Sequence, residues 1–172
     1  NMLDFNEIDQ KILPKRSRFL RRKIDIISSK ESISINDWLE EEKDEILLKM
    51  DIEGDEYLTM ASISEKNLKK IRILVLELHD LRHLRNYFFF KTFRKVILKI
   101  NKLFYVCHLH VNNVSKVKNI GGYMVPDMLE ITFIRKDRVK NFSREFAILP
   151  NKLDRKTLIG KKDIFIDKKW YL

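Results

Sequence analysis

Ile46-Leu47-Leu48-Lys49-Met50-Asp51-Ile52-Glu53-Gly54 is a nearly continuous apolar run, closed by an acid and a glycine. A run this short and this apolar predicts a strand buried on both faces of a sheet, with Glu53-Gly54 as its end. Toward the C-terminus, a helix over about 55–68 leads to a second buried strand, Ile73-Leu74-Val75-Leu76-Glu77-Leu78. Leu84, Phe88, Val96, Ile97 and Ile100 then recur at helical spacing, with Lys91, Arg94, Lys95 and Lys99 between them. That spacing predicts a long amphipathic helix and assigns the phenylalanines at 88–90 to packing. A third strand, Phe104 to Val111, is joined to a fourth, Met128 to Arg135, through a loop with Gly121-Gly122 and Pro126. Toward the N-terminus, Ser34 to Leu39 reads as a short strand entering a helix capped by Asn36 or Asp37, and Glu40 to Glu45 as an exposed acidic stretch.

Strands alternating with helices predict an α/β fold with a mostly parallel sheet. The last two strands lack a helix between them, so an antiparallel pairing and a mixed sheet follow. The 172 residues suffice for one compact domain, and 44% apolar content supports a buried core. Thirty-five Lys+Arg against 25 Asp+Glu give +10, a surplus that suits nucleic acid, an anionic membrane or simply a lysine-coated surface. Part of it is a basic cluster, Lys15, Arg16, Arg18, Arg21, Arg22 and Lys23. The single cysteine, Cys107, sits in the apolar run Phe104-Tyr105-Val106-Cys107 and reads as a buried, inert thiol in a reducing compartment. No stretch reaches the roughly 20 apolar residues that span a bilayer, and Ile12-Leu13 runs at once into Pro14-Lys15-Arg16 rather than a signal core. A soluble, cytoplasmic protein is the expectation.

In open α/β sheets, ligands bind beyond the carboxyl ends of parallel strands. Here those ends carry Asp51, Glu53 and Gly54, then Glu77, His79 and Asp80, then His108, His110, Asn112 and Asn113. Each has a plainer use: Asp51 as a helix cap, Gly54 as a turn, His79 as a packed imidazole. Strand alternation puts His108 and His110 on one face. The spacing matches no metal-ligand motif, so no metal site is expected.

Leu47-Leu48-Lys49-Met50-Asp51-Ile52-Glu53-Gly54-Asp55-Glu56 resembles the LLKxDIEGxE segment of FkbM-type methyltransferases. Leu76-Glu77-Leu78-His79 resembles the end of that family's fifth strand, and His108-Leu109-His110-Val111-Asn112-Asn113 a HxHxNN segment ending the sixth. Val125-Pro126-Asp127-Met128-Leu129-Glu130-Ile131-Thr132-Phe133 is similar to the seventh strand, and Leu149 to Asp154 with Asp163-Ile164 to a tail carried by some members. The resemblance covers approximately residues 33–166. It implies a Rossmann-like class I methyltransferase sheet whose antiparallel last strand lies beside the sixth, with S-adenosylmethionine as cofactor. It also implies methylation of an oxygen on a small molecule or sugar. Asp51 or His79 would take the acceptor's proton, while Glu53, His110, Asn112 and Asn113 would orient the acceptor.

One departure from the family is large: no glycine precedes Gly54. The glycine-rich turn that lets backbone approach a bound nucleotide has no counterpart there. About 30 residues cannot hold three strand–helix units of roughly 30 residues each. The expectation is therefore an N-terminally incomplete fold: a basic, helical or irregular segment over 1–32, then the C-terminal half of a methyltransferase domain over 33–172. The start at Asn1 fits a fragment that is inactive alone. Two other readings remain open: a basic nucleic-acid-binding module built on the 15–23 cluster, and a non-catalytic scaffold that keeps the fold.

Overall fold

Alternation along the central strands decides how the chain is layered. The computed structural model describes residues 2–4, 19–141, 149–165 and 167–170. In chain order they form β1 (Met2–Asp4), β2 (Phe19–Arg21), β3 (Lys23–Asp25), β4 (Ser32–Ser34), α1 (Ile35–Glu41), β5 (Ile46–Met50), α2 (Glu56–Ser62), α3 (Glu65–Leu68) and β6 (Ile71–Leu78). A 3-10 helix, Leu81–Arg85, precedes α4 (Tyr87–Leu103), β7 (Phe104–Val111), β8 (Val117–Ile120), β9 (Tyr123–Pro126) and β10 (Leu129–Arg135). Four strands make one mixed sheet in the order β5-β6-β10-β7. β5 and β6 run parallel, and β10 is antiparallel to both of its neighbours, β6 and β7. Three two-stranded pairs, β1-β2, β3-β4 and β8-β9, accompany it.

The expected strands are present, but they are buried on one face rather than two. Leu48, Met50, Leu74, Leu76, Leu78, Leu109, Val111, Leu129, Ile131 and Phe133 are buried together with helix residues such as Leu39, Tyr57, Met60, Val96 and Ile100. The opposite face carries Lys49, Ile73, Val75, Glu77, His110, Glu130 and Thr132, all half-buried or exposed, and Leu47 on the edge strand is 63% exposed. Helices thus cover one face, and the other is left open with polar and apolar side chains mixed on it.

Local chemistry explains several differences from the sequence reading. Ser34, not Asn36 or Asp37, caps α1, its hydroxyl accepting from Asp37 N at 3.0 Å. Asn36 instead donates to Ser62 O and accepts from Ser64 N, tying α1 to the break between α2 and α3. That break divides the single helix expected over 55–68, because Ser64 starts a new cap. The described part of 1–32 forms short strands rather than helix, while Lys15, Arg16 and Arg18 lie outside the described residues. In α4 the inward stripe is Phe89, Phe93, Val96 and Ile100, which leaves Phe88 77% exposed. Cys107 is exposed rather than buried, because β7 is an edge strand with a bulge opposite Thr132/Phe133. Its sulfhydryl donates to Thr132 O, and partial desolvation raises the thiol's pKa, which disfavours the reactive thiolate.

At the end of the sheet where β10 finishes, Arg135 is 7% exposed and donates to Asp137, to Lys69 O and to Glu45. Arg138 also donates to Glu45. These pairs, hydrogen bonds to Arg138 and Arg135 first, hold the Glu45 carboxyl below its ordinary pKa.

Candidate functional site

The other end of the sheet is where β5 and β6 finish and β10 begins, with Leu129 in register with Leu78 and Val111. Two loops meet here in left-handed backbone. Glu53 (φ 55°), Gly54 (φ 112°) and Asp80 (φ 59°) all have positive φ. A Cβ at Gly54 would stand 3.4 Å from Asp80 Oδ2, so the glycine serves both the turn and the close approach of the two loops. Left-handed non-glycine residues on adjacent loops are a feature of functional sites.

Glu56 organises the site from below. It is completely buried, yet its Oε1 accepts from Ile52 N at 2.9 Å, from Gly54 N at 3.2 Å and from His79 Nδ1 at 2.9 Å. Its position in the first turn of α2 is what brings a carboxylate back over the strand end. Tyr57, the next residue, donates its hydroxyl to His79 O. With Nδ1 committed to Glu56, His79 turns Nε2 toward Glu53 Oε2 at 3.5 Å and Asp51 Oδ1 at 3.9 Å. Burial opposes a charge on His79, but the Glu56, Glu53 and Glu77 carboxylates together outweigh it and raise its pKa above 6.5. The surrounding acids thus favour the charged form of the imidazole more than water does.

Asp51 is raised as well, by desolvation first and by the adjacent Glu77 carboxylate second, with His79 and Lys49 opposing. Around them opens a cavity of about 660 Å³ lined by Lys49, Asp51, Glu53, Glu77, His79, His110, Asn112, Val114, Met128, Glu130 and Leu153, with Asp154, Arg155 and Thr157 as its outer wall. Asn112 Nδ2 donates to Glu77 Oε1 at 3.0 Å, and Lys49 Nζ stands 3.8 Å from Glu130 Oε2. The outer wall is fixed by two residues that do not line the cavity. His108 Nε2 lies 2.7 Å from Asp154 Oδ1, and the buried Asn113 donates to Leu158 O and Lys161 O and accepts from Leu158 N.

Of the residues expected at a site, Asp51, Glu53, His79, His110 and Asn112 converge on this cavity. Asn113 is placed elsewhere: its amide is consumed in fastening the 158–161 segment. Sequence reasoning missed Glu56 as a positioning group, although it lies within the quoted LLKMDIEGDE segment, and it missed the wall at 153–157. Asp51, Glu77 and His79 each offer a ligand atom within 4.8 Å of the others. Such a set suits a divalent cation. It would do so only with His79 neutral at Nε2, against the pull of the surrounding carboxylates.

Chemically, the cavity combines an acid with a raised pKa, an imidazole set among carboxylates and the Asn112 amide on one open face. A carboxylate whose pKa has been lifted toward neutrality accepts a proton better than an ordinary one.

The family model described as "Methyltransferase FkbM domain" matches residues 2–107. Asp51, Glu53, Glu56, Glu77 and His79 fall inside that match, and His110, Asn112 and the outer wall lie beyond it. Comparison with curated proteins and with solved structures finds no match.

Proposed function

The chain belongs to the FkbM methyltransferase family, and from that membership we propose that its cavity binds a hydroxyl of a small molecule or sugar for O-methylation by S-adenosylmethionine. The observation that carries this reading is the convergence of Asp51, Glu53, His79, His110 and Asn112, from three strand ends, on one cavity. The family sheet is read here as the C-terminal half of a Rossmann-like class I methyltransferase domain over 33–172, with 1–32 as a separate basic segment. The antiparallel β10 between β6 and β7 supports that assignment.

The cofactor fits these residues at one end only. Asp51, Glu53 and Glu77 suit the positive sulfonium, whereas no glycine before Gly54 can give a nucleoside a close backbone cradle. When bound, the donor supplies an electrophilic methyl group that the acceptor oxygen takes as the carbon–sulfur bond breaks. The chain's own residues position the acceptor and take its proton. Asp51, raised by burial and by Glu77, receives the hydroxyl proton. His79, fixed by Glu56, faces Asp51 and Glu53 and in its protonated form balances the negative charge that develops on the acceptor oxygen. His110 and Asn112 direct the remaining acceptor hydroxyls.

The test is transfer of label from methyl-labelled S-adenosylmethionine to a panel of sugars and hydroxylated small molecules, using the natural polypeptide that contains this chain. Asp51→Asn should lower turnover by about 100-fold or more without loss of stability. Full activity in that variant, or no labelled product from any acceptor, would overturn the reading. In calorimetry, the 172 residues alone should show no micromolar affinity for S-adenosylmethionine. Micromolar binding would show that the chain cradles the nucleoside by another route.

A further inference from the structure

Phe89 turns inward, its ring 5.0 Å from Tyr57. Its neighbours are left outside. Tyr87 is 68% exposed, Phe88 77% and Phe90 45%, and the Tyr87 and Phe88 rings pack edge-on against each other at 5.6 Å. The β8–β9 hairpin adds two more exposed apolar side chains, Tyr123 at 49% and Met124 at 45%. Both groups belong to elements that meet at the 3-10 helix Leu81–Arg85. Arg85 Nη2 ties helix to hairpin by donating to Asn119 O at 3.1 Å. An exposed aromatic cluster of this kind marks an interaction surface.

Along α4 the charges have one sign, and the neighbouring acids Asp80 and Asp127 are paired with Arg82. Over its 17 residues α4 contains no Asp or Glu. Lys91, Arg94 and Lys95 are exposed behind the aromatic tip, and Lys118 stands on the hairpin. Among the described residues, no ion pair engages Lys91, Arg94, Lys95 or Lys118. A second copy of the chain would face this surface with the same positive charge. Phe, Met and Leu side chains, including the 48%-exposed Leu98, form no hydrogen bonds to base edges. They do insert well between lipid headgroups, with lysine and arginine reaching the phosphates.

We propose that the aromatic tip of α4 and the β8–β9 hairpin dock this protein on an anionic lipid bilayer surface. This surface would lie on the bilayer and not span it; no helix among the described residues is long and apolar enough to cross a membrane. It also has a direction. Only Asp80 separates the 3-10 helix from His79 and only Asp127 separates the hairpin from Met128, so the docking surface lies at the end of the sheet that carries the cavity.

Co-sedimentation with vesicles tests this, comparing phosphatidylglycerol mixed into phosphatidylcholine against phosphatidylcholine alone. The wild type should partition onto the anionic vesicles and be released by salt. Lys91→Glu/Arg94→Glu should weaken partitioning by about tenfold or more, because each basic group near the surface contributes separately. Tyr87→Ser/Phe88→Ser should weaken it even at low salt, with the melting temperature of each variant checked against wild type. Should either pair unfold, Lys95→Glu and Phe88→Ser alone serve in their place. Equal binding to neutral vesicles, wild-type partitioning by folded variants, or binding to single-stranded oligonucleotide with none to vesicles would overturn the proposal.

Discussion

The two ends of the four-stranded sheet hold their carboxylates in opposite ways. At the end where β10 finishes, Glu45 and Asp137 are met by Arg135 and Arg138, and both acids have lowered pKa values. At the end where β10 begins, Asp51 and Glu77 lie side by side, and Asp51 is raised. The same strands separate the two arrangements. The first neutralises charge and fastens Lys69 O to the sheet; the second keeps charge crowded around a cavity. A protein carrying +10 has cations to spare, so the crowding at the cavity is not a shortage of lysine. The crowding instead acts on Asp51, whose carboxyl it pushes above its ordinary pKa.

Mutations can break this contrast, and the largest effect should come from Glu56→Ala. Two backbone N–H groups and the His79 ring would lose their acceptor in a place without solvent, costing about 3 kcal/mol in urea unfolding. A loss under about 1 kcal/mol would mean that the cavity end does not depend on this carboxylate. Next comes Arg135→Met, which keeps the packing and removes the hydrogen bonds. We expect about 2 kcal/mol, less than for a fully buried pair because Glu45 and Asp137 retain solvent.

The pH dependence should distinguish the two ends by sign. His79 has a folded pKa above its ordinary value, so its stabilisation is complete below about 6.5 and is lost as pH rises through the folded value. Glu45 has a folded pKa below its ordinary 4.5, so its contribution is present above that and is lost as pH falls through the folded value. His79→Gln should flatten the alkaline limb of a melting-temperature profile, and Glu45→Gln the acid limb. A profile in which His79→Gln alters only the acid limb would reverse the assignment. The smallest effect should be that of Asp51→Asn, which relieves the repulsion with Glu77. Its melting temperature should equal the wild type's or exceed it by about 2 °C. A clear fall would place Asp51 in the framework instead of the chemistry.

Much of the cavity was legible because its residues sit at strand ends, and apolar runs reveal strand ends. Asp51 and His79 each follow such a run, and His110 and Asn112 close another. What was not legible depended on contacts distant in sequence. Glu56 reads as a first-turn helix acid until His79, 23 positions away, is seen against it. Asn113 looks equivalent to Asn112, yet its partners lie 45 and 48 positions downstream. Likewise, Phe88 and Phe89 are indistinguishable in composition. Only the rotation of α4 on the sheet decides which ring packs on Tyr57 and which meets solvent. The one-sided burial of the sheet escaped notice because Ile73 and Val75 on the open face are as apolar as Leu74 and Leu76 on the covered one.

The place of β10 in the middle of the sheet also governs how the molecule comes into being. It is the last of the four strands to be synthesised, and it fills the slot between β6 and β7. Until β10 arrives, β6 and β7 each have an unpaired backbone edge where it will lie. Pairing that joins segments so far apart in sequence is slow, and unpaired edges attract other chains. Closure of the sheet, and with it assembly of the cavity, therefore waits for the emergence of residues 129–135.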